Sequence, residues 1–243
     1  MSVQEFLENI TLEELEELRQ KKLEMVGEIP SFSYSKIRKE DLENLFVLER
    51  NFDKTVFSSW FENHLEICEE TKEFLRDLLK KESDFIQIYK EEDLKVKFLS
   101  PILNRVDFKI KYQIRDFYEE NLLYKTDKFI LNGTTDFLVS KGFERAEKPY
   151  FFIQEFKKGR EFSDPEPQLL AELIAGLEIS KASQIHGAYI IGSLWTFVVL
   201  EKVEIEKYRY SISDEFNSKR ESELFEIYKN LLFVKNEIEK SLK

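Results

Sequence analysis

The chain has 243 residues, 42% of them hydrophobic and 14% aromatic, with only 7 glycines and 5 prolines. This suits one large domain, or a domain with an attachment, and excludes a loop-rich or disordered chain. Its 37 basic against 48 acidic residues leave a net charge of −11, which argues against tight nucleic-acid binding through a basic surface alone. One cysteine and two histidines exclude an intramolecular disulfide and a Cys/His zinc cluster. No apolar run reaches the roughly 18–20 residues that a membrane-spanning helix needs. The first residues lack the basic-then-apolar pattern of a signal peptide, so a cytoplasmic protein without membrane contact is expected.

Residues 1–87 are predicted to form a helical extension. Thr11 and Glu14 have the form of a capping box, followed by Leu12, Leu15 and Leu18 at helical spacing. The stretch from Gly27 to Tyr34 ends that helix. A second is expected near Lys39–Leu42. A third, over 56–81, carries Phe57, Trp60, Phe61, Leu65, Cys68, Phe74 and Leu78 in one apolar stripe. These helices read as a layer on the main domain, with a protein partner or a second copy as the alternative occupant of their surface.

From Lys90 the texture changes. Residues 91–103 read as an amphipathic helix with Leu94, Phe98, Leu99 and Ile102 inward, and Pro101 as a kink or an end. Strands are predicted over 108–117, 122–130, 133–140 and 150–157, with 141–148 as a polar hairpin connection. Prolines 165 and 167 suit the first turn of a helix that continues over 168–180. Strands at 187–192, 194–200 and 208–213 and a closing helix over 221–242 complete an α/β domain with a central mixed sheet.

Side chains two apart on a strand share a face, so Glu155 and Lys157 point one way and Phe156 the other, into the core. Charges on an apolar strand are costly unless they meet a cleft or a bound ion. A solvated ion pair on an edge strand is the plain alternative. Asp136, near the start of the preceding hairpin strand, would converge on Glu155. Two such carboxylates suit Mg²⁺, or Mn²⁺ in its place, with positions left for water and phosphate oxygens. A metal there lowers the pKa of an attacking water, and Lys157 would orient that water or balance developing charge. Other residues have plainer readings. Asp136 alone could be a turn residue after Asn132 and Gly133, and Gln168 a helix-start residue. Glu172 reads as a surface charge, and Lys158 and Arg160 as a solvated loop. His186, Trp195, Phe197 and Cys68 read as packing.

In order, Thr135-Asp136-Phe137, Gln154-Glu155-Phe156-Lys157 and Gln168-Leu169-Leu170-Ala171-Glu172 resemble the PD-(D/E)XK nuclease superfamily, over about residues 88–213. The segment 91–103 is similar to the opening helix of nuclease domains in type I restriction subunits and related bacterial proteins. Residues 186–200 resemble the later strands of such domains, with their Gly-X-X-Trp-X-Phe pattern. The resemblance implies a restriction-endonuclease-like domain at 88–243, a central mixed sheet flanked by helices. It further implies Mg²⁺-dependent hydrolysis of DNA, with RNA as the second substrate class, in restriction, defence or repair. By that pattern Asp136 and Glu155 hold the metal and Lys157 positions water. Glu91, or Glu92 one residue on, is an accessory ligand or base, and Gln168 supports the site. Thr135 stands where the family pattern has proline. The rival reading is a catalytically silent module of the same fold, binding a protein through its acidic and helical surface.

Overall fold

The computed structural model of the protein describes residues 29–157 and 164–242, together with Ile10, Thr11, Glu14, Leu15, Leu18 and Lys22. Alternating β-branched and aromatic runs supply most of the strands. In chain order the elements are β1 (Ser31–Ser33), α1 (Lys39–Leu45), β2 (Val47–Asn51), α2 (Ser58–Phe61), α3 (Glu69–Glu82), α4 (Glu91–Leu94), a π-helical turn (Lys95–Leu99), α5 (Ser100–Val106), β3 (Ile114–Lys125), β4 (Ile130–Lys141), β5 (Glu147–Lys157), α6 (Pro165–Ser180), β6 (Gln184–Ile191), β7 (Leu194–Glu204), β8 (Lys207–Ile212), β9 (Phe216–Asn217) and α7 (Glu221–Ser241).

The described strands form one mixed sheet of nine, in the order β1-β4-β5-β6-β7-β8-β2, with β3 also on β4 and β9 on β7. The pairs β1–β4, β5–β6 and β2–β8 are parallel. A parallel pair needs a crossover, and α6 supplies it between β5 and β6. The chain is thus α/β, with helices on both faces. On one face Phe137, Phe152, Phe156, Trp195 and Phe197 pack with Trp60, Phe98 and Ile102, and with Leu224, Ile227 and Leu231 of α7. On the other, Leu138, Ile153, Val198 and Leu200 meet Leu169, Leu170, Leu173 and Leu177 of α6. Helix α6 is buried at every position from Pro165 to Leu177 except Glu166, so it is apolar nearly all round. Among the described residues no helix is long and apolar enough to cross a membrane.

The inward residues Leu94, Phe98, Leu99 and Ile102 are buried as expected. The helix that carries them passes through a π turn just before Pro101, whose missing N–H leaves that turn short of a donor. The Thr11–Glu14 capping box is present, with Glu14 N–H donating to Thr11 Oγ1 at 3.2 Å and Thr11 N–H to Glu14 Oε2 at 2.9 Å. Leu12, Gly27, Lys158 and Arg160 lie outside the described residues.

Four expectations need correction. The segment predicted to be wholly helical contributes β1 and β2 to the sheet, each too short for its period to show in sequence. The helix predicted over 56–81 is broken between α2 and α3. There Asn63 donates to Trp60 O at 2.7 Å and accepts from Leu65 N–H at 3.1 Å, taking the place of helical bonds. The break leaves Cys68 exposed at the start of α3 and not in the core. Strands β3 and β4 are each 12 residues long, joined by a turn in which Thr126 N–H bonds Phe129 O at 2.9 Å, so the strand predicted over 122–130 spans that turn. Gly133 is therefore mid-strand. The ring of Tyr34 would lie 2.9 Å from a Cβ there, so only glycine fits.

Candidate carboxylate–lysine site

Strands β4 and β5 pair antiparallel as far as Phe137↔Gln154, so the next step sets Asp136 across from Glu155. The ladder changes there. Phe156 N–H donates to the Asp136 side chain, Oδ2, at 2.8 Å, while β5 continues its pairing with β6. The other Asp136 oxygen accepts from Lys95 Nζ at 3.2 Å. Glu155 is 1% exposed, and its Oε1 lies 2.6 Å from Lys157 Nζ. Lys157 Nζ also stands 4.0 Å from Glu91. The shared face of Glu155 and Lys157 and the opposite, buried Phe156 are as the strand period requires.

Glu172 on α6 closes the site on the sheet face that Glu155 shares with Ile153. It is fully buried and accepts from Gln168 Nε2 at 3.1 Å. Burial first, and the Glu155 and Asp136 charges second, push its carboxyl well above the ordinary range. Burial also pushes Glu155 up to about 8, helped by the charge of Asp136 and opposed by Lys157. Burial alone would lower Lys157, but Glu155, Glu91 and Asp136 outweigh it and hold the ammonium. The side-chain oxygens Glu155 Oε2 and Glu172 Oε2 are both buried without a hydrogen-bond partner. The site thus concentrates more acid than its lysines neutralise.

Of the residues expected from sequence, Asp136, Glu155, Lys157 and Glu91 come together. Glu92 is exposed, so Glu91 is the acid that faces Lys157. Gln168 joins through Glu172. A groove of about 370 Å³ runs past Gln168, lined by Tyr34, Lys36, Arg38, Lys39, Glu40 and Asp164 among others. His186 packs on Trp60 at 4.6 Å, and burial lowers it to about 4, consistent with a packing role.

Sequence reasoning missed three residues. Glu172 is buried and not a surface charge: within Leu169–Leu177 no side of α6 is left polar enough to expose it. Lys95 sits four and seven residues before Leu99 and Ile102, on the same apolar stripe, and that spacing was the available signal. It is buried, contacts Glu119 as well as Asp136, and lies 5.7 Å over the Phe156 ring. Glu119 faces Asp136 across β3–β4 with a left-handed φ of 53°, an unfavourable conformation for a glutamate inside a strand. No sequence pattern announces it.

Among the described residues no group of three or more His, Cys, Asp or Glu side chains is arranged to hold a metal ion. Of the two carboxylates expected to hold a metal, Asp136 has both oxygens engaged, by Lys95 and by Phe156 N–H, and Glu155 keeps one oxygen, Oε2, without a hydrogen-bond partner. Two oxygen ligands of this kind suit a hard cation once Lys95 yields its place. In comparison with known proteins, no family model and no curated sequence matches the chain.

Proposed function

We propose that the protein is a metal-dependent phosphodiesterase of restriction-endonuclease-like architecture, acting on nucleic acid, with DNA as the first substrate class and RNA as the second. The observation that carries this reading is the convergence of Asp136, Glu155 and Lys157 where β5 leaves β4, with Glu155 Oε2 buried and unpartnered. Asp136 and Glu155 would hold Mg²⁺ or Mn²⁺, which supplies polarisation of a phosphodiester and acidification of water. Lys157 would orient the attacking water and balance charge developing on phosphate oxygens. Glu91 keeps that lysine charged and aimed, and Glu172 with Gln168 fixes the wall behind Glu155. Lys36, Arg38 and Lys39, beside Gln168, outnumber Glu40 and Asp164 in the lining of that groove and would offer contacts to a phosphate backbone.

A second reading is a silent module of the same fold that binds a protein. It is favoured by the ion pairs that already occupy Asp136 and Glu155, with Lys95 and Lys157 respectively. Calorimetric titration with Mg²⁺ and Mn²⁺ separates the two. The nuclease reading expects binding that is lost in Asp136→Asn and Glu155→Gln. Heat that is absent, or unchanged in both variants, would favour the module.

A further inference from the structure

The turn Ile110–Gln113 ahead of β3 has a backbone at odds with its sequence. Gln113 N–H bonds Ile110 O at 3.0 Å, and both central residues, Lys111 and Tyr112, have left-handed φ of 51° and 56°. Such turns are made by Asn-Gly or Gly-Gly, because side chains clash in that conformation. Here a lysine and a tyrosine occupy it, and Tyr112 is 91% exposed, so burial of the ring does not offset the strain. Strain that packing does not explain points to a use.

The opposite wall of the same groove is the turn after β4. Its Phe143 is 67% exposed. The two turns are braced together: Gly142 N–H donates to Gln113 O at 2.9 Å, and Arg115 Nε donates to Phe143 O at 2.8 Å. Arg115 also lies 4.0 Å over the Phe117 ring, so it is a strut and not a free cation. The groove measures about 450 Å³ and is lined by Lys109, Lys111, Tyr112, Ile114, Arg115, Gly142 and Phe143, with no acidic residue. Asp107, 3.7 Å from Lys109, stands outside that lining. In a chain of net charge −11, an acid-free groove with two exposed aromatic rings and two exposed lysines is a local exception.

We propose that this groove binds single-stranded nucleic acid, with bases stacking on Tyr112 and Phe143 and the backbone passing Lys109 and Lys111. Exposed aromatic faces beside cations match that ligand, since every base offers a π face and every nucleotide a phosphate. The groove is separate from the carboxylate site. The rise along β4 from Asp136 to Lys141 spans about 17 Å. The choice of ligand class rests on the proposed nuclease reading. The binding itself does not need the carboxylates.

The test is fluorescence anisotropy with a labelled single-stranded oligonucleotide, in EDTA, so that cleavage plays no part. Tyr112→Gly is the informative variant, because glycine suits the left-handed turn and the fold should be kept or strengthened while the ring is lost. Binding is expected to weaken roughly 5- to 150-fold in Tyr112→Gly, and similarly in Phe143→Ala. Lys111→Gln should reduce the salt dependence of binding. The proposal is overturned if the wild type does not bind the oligonucleotide, or if a stably folded Tyr112→Gly binds it undiminished. It is equally overturned if Tyr112→Gly alters only self-association in sedimentation.

Discussion

Replacing Glu155 by glutamine should change how stability depends on pH in a defined window. Glu155 is held at about 8 in the fold, against about 4.5 for an unperturbed glutamate. Its raised value means that the folded state keeps a proton the unfolded chain has released. That contribution is full below pH 4.5 and is lost as pH rises towards 8. His186, lowered to about 4, acts in the opposite sense: its contribution is present above its ordinary value near 6.5 and lost as pH falls below it. The two slopes oppose one another below pH 6.5, so the Glu155 slope stands clear between pH 6.5 and 8. At about 1.36 kcal/mol per pH unit this is about 2 kcal/mol. Glu172, raised by complete burial, adds slope of the same sign. That slope is common to both proteins, so urea denaturation in EDTA at the two pH values should show wild-type stability falling by about 2 kcal/mol relative to Glu155→Gln. Parallel behaviour of the two proteins across that window would refute the assignment of Glu155 as a buried carboxyl crowded by other acids.

Two further outcomes follow from packing and charge. Lys157→Met leaves Glu155 without its partner at 2.6 Å and without the charge that opposes its rise, so the carboxyl should stay protonated past pH 8 and the fall of stability with pH should continue to higher pH than in the wild type. The same denaturation series reads it. Gly187→Ala places a Cβ 2.9 Å from both Ile153 O and Leu173 Cδ2, where β6 and α6 meet, and should cost about 1–3 kcal/mol, seen as a lowered Tm.

What the sequence made legible has a physical boundary. The two-residue strand period was enough to orient Glu155, Phe156 and Lys157, because β5 is long and its core face carries Phe152 and Phe156. Prolines 165 and 167 marked the start of α6 because they need only local rules. Strands β1 and β2 were invisible, since three and five residues carry too little pattern and form only against partners far along the chain. The break at Asn63 depended on one amide competing with the helix. Glu172 and Lys95 were legible in principle, as charges at positions where every neighbour demands burial. Glu119 was not, because its role comes from lying across β3–β4 from Asp136.

The most direct measurement is cleavage. Single- and double-stranded DNA and RNA would be incubated with purified protein in Mg²⁺, Mn²⁺ or EDTA, beside Asp136→Asn, Glu155→Gln and Lys157→Met. Metal-dependent cleavage of at least one substrate is expected, reduced about 100-fold or more in each variant. No cleavage of any substrate by the wild type, or equal cleavage by all three variants, would contradict it.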